Sequence, residues 1–394
     1  METMNQTPAG ERVHITFFGR RNVGKSSLMN AFTGQELSVV SDTVGTTTDA
    51  VYKAMELLPL GPVVLVDTPG LDDSGELGEK RVSKAKQAMR KTDIAIVAAQ
   101  AGEPLGATER ELLAVFQREK IPCLLVYNKA DLLAEVPEGD GKTLWVSAKT
   151  GFHIRELKER AAALLPGDVS GKPLIEDLLS EGDTVVLVVP LDAGAPKGRL
   201  ILPQQQVIRG ILEAGAFAVV CRDTELEAAL RRLASPPKLV VTDSQVFGRV
   251  NRIVPESVPL TSFSILMARY KGDLGLLAEG AAAVENLRDG DKVLICEGCT
   301  HHRQCGDIGT VKLPNLIRRC TGVSPQFSFV SGTEFPTDVS SYKLAVHCGG
   351  CMLNRREMRY RLECCREQGI PVTNYGVLIA YLNGILERVM GVFH

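Results

Sequence analysis

The 394-residue sequence has no charge excess of either sign: 45 Lys and Arg stand against 47 Asp and Glu, a formal net charge of −2. A chain whose main task is wrapping nucleic acid would show a basic surplus, so nucleic acid is not an expected partner beyond a local basic patch. Long apolar runs are missing too. No stretch approaches the roughly 18–20 apolar residues that span a bilayer. The start, METMNQTPAGERVHITFFG, has no cationic segment followed by an apolar one, so neither a membrane anchor nor a secretory leader is expected. No repeat at a solenoid period and no low-complexity tract is present. Before Cys296 only Cys123 and Cys221 occur, and the other eight of ten cysteines fall between Cys296 and Cys365. A secreted disulfide scaffold would be short and evenly studded. The expectation is a cytoplasmic chain whose clustered cysteines hold metal rather than disulfides.

What is present organises into three parts. Hydrophobic residues make up 44% of the chain, enough for ordinary cores. Over residues 1–166, β-rich runs (VHITFF at 13–18, VVLVD at 63–67, DIAIVAA at 93–99, PCLLVYN at 122–128, TLWVS at 143–147) alternate with helical patterns such as KRVSKAKQAMRK and TERELLAVFQREK. Such alternation predicts a mostly parallel sheet with helices on both faces. LLPGDVSGKP (164–173) reads as a linker. Residues 174–265 repeat the alternation on a smaller scale, and DAGAPKGRL (192–200) reads there as an ordinary loop. In 266–394, DKVLICEGC and SYKLAVHCGGC each look like a buried strand running into a ligand cluster, and NRREMRYRLECCREQG and NYGVLIAYLNGILERVM read as helices. The fold class expected is α/β throughout, one larger domain followed by two smaller ones.

GRRNVGKSS (19–27) matches G-x-x-x-x-G-K-[ST] after a strand and before a helix, the context this phosphate-binding loop requires. Gly19 and Gly24 permit the tight turn. The loop amides, from Asn22, Val23 and Gly24 to Ser27, would face the phosphates. Lys25 would reach the β- and γ-phosphates, and Ser26 would offer its hydroxyl to Mg²⁺. Three further elements follow in order. DTPG (67–70) supplies Asp67 for the magnesium shell and the Gly70 amide for the γ-phosphate. NKAD (128–131) supplies Asn128 and Lys129 to support the base, and Asp131 to accept two N–H groups from guanine. Adenine would leave that carboxylate unpaired, and such a mismatch costs factors of about 10⁴–10⁵ in a built site. SAK (Ser147, Ala148, Lys149) supplies a backbone amide for the guanine carbonyl. VGTTTD (44–49) sits where a mobile switch loop belongs.

CEGCTHH gives Cys296, Cys299, His301 and His302; HCGGC gives His347, Cys348 and Cys351. If the strands leading into the two motifs are parallel neighbours, both emerge at one sheet edge, where open α/β sheets build sites. Cys299, Cys348 and Cys351 can then converge. Three thiolates and a histidine suit tetrahedral zinc, and three thiolates equally suit a 4Fe–4S cluster with one iron left to an exchangeable ligand. Spacing alone does not choose. The C-x₃-C-x₂-C of radical enzymes is absent, and a redox disulfide in CGGC leaves Cys299 unexplained. Cys296 reads as core. The basic stretch NRREMRYR (354–361) reads as a solvated helix face, with attraction of an acidic partner as the alternative.

Over residues 12–165 the order and wording of the nucleotide motifs resemble the translation-factor-related GTPases of tRNA modification and ribosome assembly. The resemblance implies that Asn22 binds K⁺ and that Thr47 is the switch threonine on Mg²⁺. Leu71 follows DTPG where other GTPases carry a catalytic glutamine, which implies slow intrinsic hydrolysis; the family's arginine after the switch threonine is Thr48 here. Along its whole length the chain resembles the FeFe-hydrogenase maturation GTPases: Cys299-Thr300-His301, then His347-Cys348-Gly349-Gly350-Cys351, behind a GTPase of this type. That resemblance implies a 4Fe–4S cluster on Cys299, Cys348 and Cys351, with His301 and His347 as candidate fourth ligands. It implies a GTP-hydrolysing scaffold that receives the diiron precursor of the H-cluster and passes it to apo FeFe-hydrogenase, with two radical SAM maturases as further partners. It also implies a dimerising middle domain and a last domain that supports a tetramer. The alternative expectation is a ribosome-assembly or tRNA-modification GTPase with a structural zinc domain.

Overall fold

The computed structural model describes residues 9–34, 51–70, 87–165, 172–191, 200–298, 308–332 and 334–393. Thr47, Thr48, Leu71, Cys299, His301, His302, Cys305 and most of the 192–200 loop lie outside them. The chain divides into two compact units, Met1–Val169 and Ser170–His394.

The first unit contains β1 (Val13–Phe18), α1 (Lys25–Thr33), β2 (Val51–Leu57), β3 (Gly61–Asp67), β4 (Ile94–Gln100), α2 (Ala107–Arg118), β5 (Cys123–Asn128), β6 (Thr143–Trp145) and α3 (Ile154–Ala163). The sheet order is β2-β3-β1-β4-β5-β6. All pairings are parallel except β2 with β3. β4 is almost uniformly buried, as befits a parallel strand covered on both faces. The pleat sends successive side chains to opposite faces. Phe17 joins Phe32 of α1 and Leu157 of α3, and Phe18 joins Leu112 and Phe116 of α2. β1 lies between β3 and β4, so the loop after it opens where the strand order reverses, at the carboxyl edge.

The second unit continues with β7 (Thr184–Val188), α4 (Leu202–Glu213), β8 (Phe217–Cys221), α5 (Leu226–Arg232), β9 (Leu239–Thr242), α6 (Phe247–Ile253), β10 (Leu260–Ser262) and α7 (Phe263–Lys271). Then come α8 (Leu274–Ala281), β11 (Lys292–Glu297), α9 (Leu313–Thr321), β12 (Gln326–Ser331), β13 (Leu344–His347), α10 (Arg355–Glu367), β14 (Val372–Asn374), α11 (Tyr375–Leu382) and α12 (Leu386–Met390). They build two four-stranded sheets, β10-β9-β7-β8 and β12-β11-β13-β14, whose pairings are all parallel. β7 divides its side chains: Val186 and Val188 enter the core that holds Leu294, Cys296 and Val346 of the second sheet, and Val185 and Leu187 face α4. α7 runs through the 265/266 boundary and feeds both cores, Ile265 and Ala268 one, Leu266 and Met267 the other. α8 lies so close to β14 that a Cβ on Gly280 would stand 2.0 Å from the Val372 carbonyl oxygen.

Two sequence expectations change. NYGVLIAYLNGILERVM is two helices, because Asn383 ends α11 and Gly384 turns the chain at φ +67°. NRREMRYR is not a solvated face: Glu357, Met358 and Arg361 are buried, and the guanidinium of Arg355 lies over the Tyr270 ring.

Candidate nucleotide and metal sites

Among the described residues, the P-loop, DTPG, NKAD and SAK each emerge from the carboxyl end of a parallel strand. After β1, Gly19 sits at φ +145°, and a Cβ there would be 2.3 Å from the Ala98 carbonyl oxygen, so only glycine fits. Lys25, the first residue of α1, is buried; its Nζ donates to the carbonyls of Gly19 (3.0 Å) and Arg20 (2.7 Å). Ser26 donates its hydroxyl to Asp67 Oδ2 at 2.5 Å, across from the end of β3. Burial raises the Asp67 pKa, opposed by the Ser26 bond and the Lys25 charge. The second carboxylate oxygen, Oδ1, is buried with no hydrogen-bond donor. A buried acceptor oxygen beside a serine hydroxyl fits a hard cation such as Mg²⁺. Gly70 lies against the loop, where a Cβ would be 3.0 Å from Arg21. Asn22, Ser26 and Ser27 are exposed or half-exposed at the loop surface, Asn22 at φ +61°, and the Val23 side chain is buried in the core.

Asn128, the last residue of β5, ties three loops together. Its Nδ2 donates to the Val23 carbonyl (2.9 Å) and its Oδ1 accepts from the Ala148 amide (3.0 Å). The Ala148 amide, expected to meet a guanine carbonyl, thus braces Asn128 in this structure. Ser147 donates to Asp131 Oδ1 at 2.6 Å and orients that carboxylate. Lys129 takes a left-handed φ of +66° and reaches Gln100 at 2.7 Å, and Lys149 is exposed. The sequence reading missed Arg20, whose Nε donates to buried Glu109 of α2 at 2.7 Å and so moors the loop from its other side. The partners are 89 residues apart, and no local signal links them.

In the second unit β11 and β13 are parallel neighbours, with Cys296 opposite His347. Both motifs therefore leave the same edge. The Cys348 amide donates to the Cys296 carbonyl at 2.8 Å, and the Cys348 sulfur accepts from the amides of Gly298 (3.0 Å) and Gly350 (3.4 Å). Gly298 directly precedes Cys299, so the two segments meet at this sulfur. Two amides aimed at one sulfur are a cradle for a thiolate, the ligand form of cysteine. Without a cation, burial and the neighbouring Cys351 push the Cys348 pKa up to about 11. This donor set fits a thiophilic metal centre. Among the described residues no group of three or more metal-binding side chains converges. No disulfide joins the described cysteines; Cys296, Cys364 and Cys365 are buried, and Cys320 is exposed.

His347 is buried, and both its ring nitrogens are engaged. Arg361 Nη1 lies 3.1 Å from Nε2, and Nδ1 is 3.1 Å from the Cys348 carbonyl oxygen. A guanidinium only donates, so Nε2 accepts and Nδ1 carries the proton. Burial, then the Arg361 charge, lowers the His347 pKa to about 3, which keeps the ring neutral. In this arrangement neither nitrogen is open to a metal. Arg361 also donates to Glu357 at 2.8 Å and to the Gly332 carbonyl at 2.7 Å. A second cation that sequence reading missed, Lys271 at the end of α7, is buried against the CGGC turn.

Comparison with known proteins finds three family models in order along the chain. The 50S ribosome-binding GTPase model matches residues 14–129, the hydrogen maturase F dimerization domain 174–272, and the hydrogen maturase F tetramerization domain 275–392. Among curated proteins, the tRNA modification GTPase MnmE of Thiobacillus denitrificans is 28% identical over 233 residues, 59% of this chain and 47% of the relative. The same enzyme from Xanthomonas euvesicatoria is 35% identical over 158 residues, 40% of this chain and 34% of the relative. The match thus spans less than half the length of either relative. Of solved structures, an Era variant of Aquifex aeolicus bound to GDP and aluminium fluoride shows a TM-score of 0.34 at 20% identity, over 53% of this chain and 92% of that one. A likeness of that extent carries no functional information. No helix among the described residues is long and apolar enough to cross a membrane.

Proposed function

We propose a scaffold function for this chain, which belongs to the hydrogen maturase F family: it hydrolyses GTP, holds a 4Fe–4S cluster, accepts the diiron precursor of the H-cluster and passes it to apo FeFe-hydrogenase. The modules are the GTPase domain (1–166), a dimerising α/β domain (174–265) and a cluster domain (266–394) that supports a tetramer. Two radical SAM maturases would supply the precursor.

Lys25 would exchange its two loop carbonyls for the β- and γ-phosphate oxygens of GTP, helped by the amides of residues 22–27. Ser26, Asp67 and the switch residue Thr47 would hold Mg²⁺, with Asp67 Oδ1 the acceptor already waiting. Mg²⁺, when bound, neutralises charge between the β- and γ-phosphates. Gly70 would sense the γ-phosphate. Asn22 would hold K⁺, which takes the part that Leu71 cannot play; equal turnover in Na⁺ and K⁺ would remove Asn22 from that role. Asp131, held by Ser147, would read the guanine edge.

Cys299, Cys348 and Cys351 would hold the cluster, whose remaining iron supplies a position open to exchangeable ligands. The contact that carries this reading is the Gly298 amide on the Cys348 sulfur, because it brings the residue before Cys299 to the second motif. Of the two candidate fourth ligands, His347 would have to give up Arg361, which leaves His301 the better candidate. The likeness to MnmE favours a second reading, a tRNA-directed GTPase with a zinc-stabilised tail. Anaerobic purification decides between them. Brown protein with about four irons per chain, able to activate apo-hydrogenase after co-expression with the two maturases, is the expected result; colourless zinc protein sinks the scaffold reading.

A further inference from the structure

We propose that Lys271 is the positioning residue of the cysteine turn, a reading that rests on Cys348 and Cys351 being cluster ligands. Lys271 is 1% exposed. Its Nζ donates to three carbonyls of the turn: Gly350 at 3.3 Å, Cys351 at 3.0 Å and Leu353 at 2.7 Å. Three acceptors match the three N–H donors of an ammonium. Carbonyls gathered at one point fix the peptide planes that carry them. Gly350 gives its carbonyl to Lys271 and its amide to the Cys348 sulfur, at a left-handed φ of +64°. The two groups lie in adjacent peptide planes joined at the Gly350 Cα, so holding the carbonyl restrains the amide.

The clamp joins distant segments of one compact unit. α7, which runs through the 265/266 boundary and lies within the residues that the dimerization-domain model matches, is held at its first turn from the other side: Asn374, at the end of β14, donates to the carbonyl and hydroxyl of Ser264, both at 3.1 Å. Gly376 donates to the same hydroxyl at 3.3 Å. Cys351 packs against the core that Leu266 and Met267 of α7 line. α7 is thus pinned at both ends, to β14 and to the cysteine turn, and Lys271 transmits its position to that turn. Hydrogen bonds to cluster sulfurs set the reduction potential, so the clamp would tune a bound cluster through the amide it holds on the Cys348 sulfur, without touching iron.

The test compares the full-length protein with Lys271→Met and Lys271→Gln, first free of metal. Hydrogen exchange of the 348–353 amides should quicken by about tenfold or more in Lys271→Met as buried carbonyls lose their donor; Lys271→Gln, which keeps two donors, should fall between. Unchanged exchange in a folded variant overturns the proposal, and the Gln variant decides if the Met variant does not fold. After anaerobic loading with iron and sulfide, the Met variant should start with full iron, show a more negative midpoint potential in an EPR-monitored titration, and lose iron faster to a chelator. A full cluster with the wild-type potential also overturns it. A wild-type protein that takes up no iron removes the cluster reading, and the exchange comparison still judges the clamp.

Discussion

Two glycine-rich turns in this molecule are each organised by a buried lysine, and the contrast between them is instructive. Lys25 bonds carbonyls six and five residues before it, within its own loop. Lys271 bonds carbonyls 79, 80 and 82 residues after it, in a distant segment of the same compact unit. Both lysines sit where a parallel strand opens at the carboxyl edge, and both set backbone geometry around a ligand position. In the first turn the lysine is also a ligand in waiting, since phosphate oxygens can replace its carbonyls. In the second it stays behind the turn, whose sulfurs are the proposed cluster ligands. A loop that binds with its backbone carries its cation in the motif; a loop that binds with side chains borrows one from elsewhere in the fold.

The most severe way to break the comparison is to remove one ligand group from each turn. Lys25→Ala should abolish measurable GTP turnover and leave iron content unchanged. Cys348→Ser should abolish iron binding and leave turnover within a factor of about two, because the two sites lie in separate compact units. Loss of both activities in either variant would show that the turns are not independent.

Next in size is Arg361→Leu. It leaves Glu357, also 1% exposed, charged without its partner and frees His347 Nε2. Removing one member of a buried pair costs about 3–5 kcal/mol, so chemical denaturation should show the second unit destabilised by that amount and the first unchanged. A loss below about 1 kcal/mol would mean that Arg361 is exposed in solution.

Acid should strike the first unit in a predictable window. Burial lowers the His14 pKa from 6.5 to about 4. The unfolded chain therefore takes up a proton at His14 that the folded chain refuses between those values. Stability is fully present above pH 6.5 and is lost as pH falls towards 4, by about 3 kcal/mol in all. The GTPase unit's transition should follow that slope, and His14→Gln should flatten it. At the small end stands the exposed pair Arg155–Glu159 on α3. Arg155→Ala should change stability by less than about 0.5 kcal/mol, and a larger effect would unsettle the ranking of buried over exposed contacts.

Strands that are buried on both faces were legible: β1, β3, β4, β7, β11 and β13 are mostly apolar and almost continuously buried. The missed strands lack that signature. β2 is an antiparallel edge strand with alternating exposure, β12 is an edge strand only half buried, and β10 and β14 are three residues each. The basic run at 354–361 misled because its composition resembles a solvated face; the fold turns Arg361 inward to meet Glu357, His347 and Gly332. Hydropathy counts the charge and cannot see the acceptors that offset its burial.

From the residues alone came the nucleotide motifs and their order, the α/β class, and two cysteine segments that could meet at one sheet edge. Phosphate loops and strand-end ligands act through local backbone geometry, which short spacing encodes. Only the tertiary structure decided that β11 and β13 are neighbours, that Arg361 occupies His347, and that Lys271 and Arg20 brace the two ligand turns. Those contacts join residues from 14 to 89 positions apart. Packing selects such pairs by shape and by the need of each buried polar group for a partner, and neither requirement is visible until the chain has closed.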